Sequence, residues 1–195
     1  MFESVKETAD LEAAEEAECV RRVIQARAGG RVERCHGIPH HGSYNNAAHS
    51  WGVAMLMYYL WPEDFARLAM VCLSHDVPEA WLGDVPAPTM RYVPGLKAEL
   101  GALERDVNLS LGLPAEQDLS DEDHAKLKAC DRLEFYLWCR EQLRFGNGFV
   151  EESMREVERY FEEVPLPERA QRFYLRLRER SVLPKQAGVV KELCE

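Results

Sequence analysis

The chain has 195 residues, of which 46% are hydrophobic and 30% charged, and its formal net charge is −10. This composition is typical of a globular protein with a substantial core, and the negative charge argues against a stable complex with nucleic acid. No apolar run approaches the roughly 18 residues that a membrane span needs. Because the acidic start Met1-Phe2-Glu3 also differs from a secretory signal, we expect a cytoplasmic protein.

Helical periodicity dominates the sequence and predicts an all-α fold in a single domain over residues 1–195. Gly29-Gly30 end a first helix and Pro62 opens a later one. Ser120 is the expected N-cap of the longest helix, with Asp123 three residues on in the manner of a capping box. The predicted helices cover residues 5–28, 47–60, 62–75, 96–111, 120–145, 151–163 and 168–180.

Two segments lack this periodicity. Residues 31–46 contain Gly37, Pro39 and Gly42, and the pattern predicts a long ordered loop of the kind that tends to carry function. Residues 83–94 contain Pro86, Pro88 and Pro94. Because proline interrupts helical hydrogen bonding, we expect this second segment to be irregular and to lie on the surface.

Ionisable residues lie on helix faces that are otherwise apolar. Asp131, for example, shares a face with Leu127 and Phe135, where a bare carboxylate is costly to bury unless it is paired or bound to a metal. A single polar residue of this kind is more often a hydrogen-bonded core residue, but three inward faces present two imidazoles and two carboxylates together. The set is His49, His75, Asp76 and Asp131. Such donors suit Mn, Fe, Co, Zn or Mg, whereas six cysteines without a C-x-x-C pair argue against a thiolate site.

An ordered set of motifs surrounds these residues. Residues 75–88 read HDVPEAWLGDVPAP, residues 128–131 read KACD, and Arg34-Cys35-His36 lies upstream. They resemble the HD-x-x-E-x-x-x-GD-x-P-x-P block, the K-A-x-D segment and the R-aromatic-H entry of bacterial 5′-deoxyribonucleotidases and related phage deoxynucleotide hydrolases. These enzymes are HD-domain phosphohydrolases, whose H…HD…D signature is matched here in order. The likeness covers residues 31–148.

The resemblance implies an HD-domain helical bundle that hydrolyses a small nucleotide with one divalent metal ion. The implied activity is release of phosphate from a deoxynucleoside 5′-monophosphate. By resemblance, the metal is held by His49, His75, Asp76 and Asp131. The implied catalytic carboxylates are Glu79 and Asp84, one to orient the attacking water and one to donate a proton. The implied substrate contacts are Arg34, His36 and Arg91.

Three departures from the family pattern fall on the substrate side. Ala48 stands where relatives usually have Glu, and Cys35 replaces the aromatic residue. Met90 replaces a lysine, with Arg91 next to it as the substitute. The base preference is therefore open, whereas the implied metal chemistry is unaffected.

Other activities are compatible with the same residues. The shared motifs also fit a triphosphohydrolase that releases triphosphate from a deoxynucleoside triphosphate, and a non-catalytic metal- or nucleotide-binding module. A di-iron oxygenase on a similar scaffold would need further inward histidines, and His124 is the one available after the HD pair. We also expect a homo-oligomer, for which the aromatic residues 58–61 would suit an interface.

Overall fold

The computed structural model describes residues 2–179, without the side chains of residues 2–10 and Arg91. Within this part the fold is all-α, as predicted. The helices are α1 (Phe2–Gly29), α2 (Asn46–Leu60), α3 (Pro62–Ser74), α4 (Glu79–Leu82), α5 (Ala87–Tyr92), α6 (Leu96–Ser110), α7 (Asp121–Arg144), α8 (Glu151–Glu163) and α9 (Glu168–Glu179). Short 3-10 turns at Glu116–Asp118 and Gly148–Val150 precede α7 and α8.

Each predicted helix is present to within a few residues at either end. Ser120 is the N-cap of α7 and its side chain accepts a hydrogen bond from the Asp123 amide, which satisfies a free donor of the first turn. The Asp123 carboxylate also pairs with Arg67. The last residue predicted for the C-terminal helix, residue 180, lies outside the described residues.

The segment predicted to be irregular contains the short helix α5, so that prediction is wrong over Ala87–Tyr92. Pro86 is the N-cap and Pro88 lies in the first turn. Amides in that turn have no partner within the helix, so proline costs little there. The prolines therefore mark the start of α5, and Pro94 follows its end.

The core lies where α2 packs on α3 and α7. Met57, Leu68 and Leu127 are buried there almost completely. On the other side of α7, Tyr136 packs edge-on against Phe161 and Tyr174, so α8 and α9 cover that face. In the described part of the chain, no helix combines the length and the hydropathy of a membrane span.

The last turn of α1 presses against the chain just beyond α3. A Cβ atom at Gly29 would lie 2.6 Å from the Cα of Val77, closer than any side chain tolerates. This contact places the end of α1 directly behind the turn that carries His75 and Asp76.

Candidate metal centre

Three elements bring His49, His75 and Asp131 together. His49 lies in the first turn of α2, His75 follows the last residue of α3, and Asp131 lies in the middle of α7. Each offers a ligand atom, and these atoms all lie within 4.8 Å of one another. His49 is 0% and His75 6% exposed, so the cluster is buried where the three helices meet.

The two imidazoles are oriented by their other nitrogen. His75 Nδ1 lies 3.0 Å from the Cys72 carbonyl oxygen, which can only accept, so Nδ1 carries the proton. His49 Nδ1 contacts the Glu134 carboxylate in the same way. The Nε2 atoms of both rings are therefore free to act as electron-pair donors.

Both Nε2 atoms are buried and have no hydrogen-bond partner. Asp131 Oδ1 is 3.1 Å from His49 Nε2, at ion-pair distance but without hydrogen-bond alignment. Two electron-pair donors this close need a cation between them, and a divalent metal fits the arrangement. Burial and Arg34 lower the pKa of His49, but the neighbouring carboxylates of Asp131 and Glu134 outweigh them and raise it to about 9, so the pocket favours positive charge at this position.

Asp76 lies beside this cluster. Its Oδ2 is 3.3 Å from His75 Nε2 and 3.6 Å from His49 Nε2, and the same oxygen is bound by Arg34. Burial raises the pKa of Asp76, but the neighbouring His75 and Arg34 outweigh burial and lower it to about 2. Asp76 is therefore ionised next to the two imidazoles, although it is not within the 4.8 Å group formed by the other three side chains.

Glu79 is the first residue of α4 and is held by Asn46, which sequence reasoning missed. The Asn46 amide donates to Glu79 Oε2 at 2.7 Å and to the Asp76 carbonyl at 3.1 Å, and its oxygen accepts from Arg34 at 3.0 Å. Burial and the charge of Asp76 raise the pKa of Glu79 to about 8. The Asn45-Asn46 pair just before His49 was the available signal in the sequence. Asn45 caps α2, and Asn46 is the residue that contacts the site.

Asp84 lies on the loop side of the site. Its Oδ2 accepts from the Cys35 amide at 3.2 Å and is 3.5 Å from His36 Nδ1. Cys35 has a φ of 56°, and no other described non-glycine residue has a positive φ, so the backbone is strained where the loop meets Asp84. The His36 side chain is 55% exposed and reaches solvent.

The side chain of Arg91 is outside the described part of the chain, although its backbone belongs to α5. A different cation lies close to the cluster. Lys128, one turn before Asp131, donates to Glu116 at 2.6 Å. Burial works against its charge, but Asp131 and Glu116 raise the pKa of Lys128, so its positive charge is retained.

The loop that carries Arg34 is pinned to the end of α7 by amide side chains. Gln142 accepts from the His41 amide at 2.8 Å and donates to the His41 carbonyl at 3.0 Å. Asn147 donates to the Pro39 carbonyl at 2.9 Å. The prediction that this segment is ordered agrees with these contacts, whereas the residues that pin it carry no signal in the sequence.

The chain is similar to known proteins in sequence and in fold. The family model described as "5'-deoxynucleotidase YfbR-like" matches residues 30–177. A 5'-deoxynucleotidase of Vibrio atlanticus is 32% identical over 120 residues, which are 55% of this chain and 60% of that protein. A dATP triphosphohydrolase of Salmonella phage PMBT28 is 32% identical over 75 residues, 32% of this chain and 39% of that protein. The matches thus span about 60% or less of these relatives' length.

Solved structures share the fold. An HD phosphohydrolase (DatZ) of cyanophage S-2L, bound to dA and one catalytic Zn²⁺ ion, superposes with a TM-score of 0.62 at 20% identity, covering 81% of this chain and 94% of that one. A protein from Pyrococcus horikoshii gives a TM-score of 0.57 at 18% identity, with 82% and 96% covered. Since the family model matches most of the sequence, the chain belongs to the YfbR-like 5'-deoxynucleotidase family.

Proposed function

We propose that this chain is a divalent-metal-dependent phosphohydrolase that releases phosphate from deoxynucleoside 5′-monophosphates. The observation that carries the proposal is the pair of buried imidazole Nε2 atoms of His49 and His75, which have no hydrogen-bond partner and face the Asp131 carboxylate. A buried nitrogen without a hydrogen-bond partner lowers the stability of the fold, and a metal ion that accepts both electron pairs would remove this cost. We assign Asp76 as the fourth ligand because it is ionised and lies within 3.6 Å of both Nε2 atoms.

The names of the relatives support the substrate class. The Vibrio protein is a 5'-deoxynucleotidase, the phage protein acts on dATP, and the cyanophage structure contains dA. A deoxynucleoside unit is thus common to all three, and we infer deoxynucleotides as the substrate class of this chain. A monophosphate is preferred to a triphosphate because the family model is that of a 5'-deoxynucleotidase.

A bound divalent metal ion acidifies a coordinated water and neutralises phosphoryl oxygens. Arg34 is suited to grip the phosphate: its Nε is buried and has no hydrogen-bond partner, so a donor remains after its contacts to Asp76 and Asn46. A guanidinium binds phosphate oxygens with strong, directional hydrogen bonds.

We assign proton transfer to Glu79 and Asp84. A carboxylic acid donates efficiently to a leaving oxygen when its surroundings keep it protonated near neutral pH. Asn46 fixes the Glu79 carboxylate at 2.7 Å, and Glu79 lies one helical turn beyond His75 and Asp76. Asp84 is held by the Cys35 amide and approaches the site from the loop side.

The test is to strip the purified protein of metal, reload it with Mn²⁺, Co²⁺ or Zn²⁺, and offer deoxynucleoside mono- and triphosphates with their ribose counterparts. We expect inorganic phosphate from the deoxymonophosphates, and loss of both bound metal and phosphate release in Asp76→Ala and Asp131→Ala. Triphosphate as the product would favour the triphosphohydrolase. Metal binding without hydrolysis of any nucleotide would favour a non-catalytic module.

Some expectations remain predictions: a single domain, a cytoplasmic location, no nucleic-acid partner and a homo-oligomer. For the last, Tyr58 and Tyr59 are 47% and 78% exposed, whereas Trp61 is 5% exposed and belongs to the core. An interface would therefore use the two tyrosines. Light scattering on the purified protein tests this directly.

A further inference from the structure

Glu134 is a partly buried carboxylate with no role in the sequence motifs. It lies on α7 one turn after Asp131, and its side chain is 14% exposed. Its Oε2 contacts His49 Nδ1 and accepts a hydrogen bond from the Tyr44 hydroxyl at 2.6 Å. One carboxylate oxygen thus joins two buried groups on the side of His49 that faces away from the metal cluster.

The surroundings hold Glu134 in this place. A Cβ atom at Gly52 would lie 2.6 Å from Glu134 Cγ and 3.2 Å from its Oε1, so a residue without a side chain lets the carboxylate lie against α2. Tyr44 is 2% exposed and its ring stacks on Trp138, with ring centroids 4.4 Å apart at 13°. The stack aims the Tyr44 hydroxyl at Glu134.

We propose that Glu134, held by Tyr44 and accommodated by Gly52, is a positioning residue that fixes the ring orientation and tautomer of His49 so that Nε2 faces the metal. This inference rests on the proposed function. A carboxylate that accepts from Nδ1–H makes the other imidazole nitrogen a better electron-pair donor, and removal of such a partner typically costs about 10–100-fold in metal affinity.

The test measures Zn²⁺ and Co²⁺ affinity by competition with a chromophoric chelator. Glu134→Ala is expected to lower the affinity about 10–100-fold, and Glu134→Gln less, because its amide oxygen still accepts from Nδ1–H. Tyr44→Phe is expected to give a smaller loss. The absorption bands of the Co²⁺-loaded protein should shift in Glu134→Ala because the geometry around His49 changes.

The matched control is Glu141→Ala, since Glu141 is an exposed carboxylate on the same helix. Its metal affinity and Co²⁺ spectrum should equal those of the parent.

Gly52→Ala separates positioning from folding. Alanine has a higher helix propensity than glycine, whereas displacement of Glu134 costs buried hydrogen bonds of at least the same magnitude, so the metal-free variant should unfold at the same or a somewhat lower temperature than the parent. The added Cβ displaces Glu134, and metal affinity should fall as in Glu134→Ala. A purely structural role for Glu134 would leave the metal affinity of the folded Gly52→Ala variant unchanged, and the comparison stands even where Glu134→Ala folds poorly.

The outcomes distinguish this inference from the function on which it rests. A parent protein that binds none of the ions would overturn both. Tight binding by the parent together with unchanged affinity and Co²⁺ spectrum in Glu134→Ala and Gly52→Ala would overturn the role of Glu134 alone, and the proposed hydrolase would stand.

Discussion

The helices that carry His49, His75 and Asp131 and the loop that carries Arg34, Cys35 and His36 approach the same site but are held by different means. We call them the helical face and the loop face. On the helical face, both imidazoles are buried in the packing of α2, α3 and α7. On the loop face, Cys35 has a strained φ of 56°, His36 is half exposed, and the side-chain amides of α7 and the following turn hold the backbone.

This difference indicates that the two faces have separate roles. Side chains that are fixed both by packing and by a hydrogen bond at Nδ1 suit a metal ion, which demands a constant geometry. A loop anchored at a few points suits a substrate that must enter and leave. The departures from the family pattern at Ala48, Cys35 and Met90 include one on the loop face. Changes to the helical face should therefore abolish metal binding and catalysis together, whereas changes to the loop face should alter substrate affinity with the metal retained.

The largest effect should come from His75→Ala on the helical face. Loss of a direct ligand should weaken metal binding by more than the roughly 100-fold expected for loss of a supporting contact, and phosphate release should fall to background. Metal content by mass spectrometry and a phosphate assay measure both. Circular dichroism must show a folded helical protein, and retained metal with normal turnover would remove His75 from the site.

Glu79→Gln should come next. It keeps the shape and the contact to Asn46 but cannot exchange a proton, so kcat should fall about 10²–10⁴-fold, the usual contribution of a general acid or base. Metal affinity should stay near that of the parent, as measured by chelator competition. A kcat within error of the parent value would exclude Glu79 from proton transfer.

Arg34→Ala tests the loop face. A hydrogen bond to a charged group is worth about 1.5–3 kcal/mol, which corresponds to a loss of about 10–150-fold in kcat/KM, mainly through KM. Arg34→Lys keeps the charge without the planar fork and should recover part of the loss. Steady-state kinetics give both values. If KM were unchanged in the alanine variant, phosphate recognition would have to lie elsewhere, with Lys128 as the next cation to test.

The smallest effect should come from Gln142→Ala, which touches no substrate. It removes both hydrogen bonds to the His41 backbone and should lower the free energy of unfolding by about 1–3 kcal/mol. KM should rise modestly as the loop loosens, while metal affinity stays constant. Urea unfolding and nucleotide titration measure the two effects, and a loss of metal in this variant would contradict the separation of the two faces.

The seven longer helices among the described residues could be predicted because each one carries its own periodicity and end signals, as at Ser120 and Pro62, whereas the short helices α4 and α5 carry too few residues for a period to show. Sequence reasoning selected the polar residues of the cluster because inward ionisable side chains are visible within a single helix, and the family motifs then ordered them. Glu134, Tyr44 and Asn46 were missed, because their contacts depend on how one element is rotated against another. The hydrophobic pattern of α7 alone does not indicate that Glu134 contacts His49 on α2.

The contact between Gly29 and Val77 has a consequence for how the first helix can change. α1 begins outside the region matched by the family model, which starts at residue 30, yet its final turn forms the back wall of the bend that carries His75. Growth or shortening of α1 at its outer end should leave that wall intact. In Gly29→Ala the added methyl group would displace Val77 and, with it, the bend that carries His75. The inner end of α1 therefore tolerates fewer substitutions than expected of residues that lie outside the matched region.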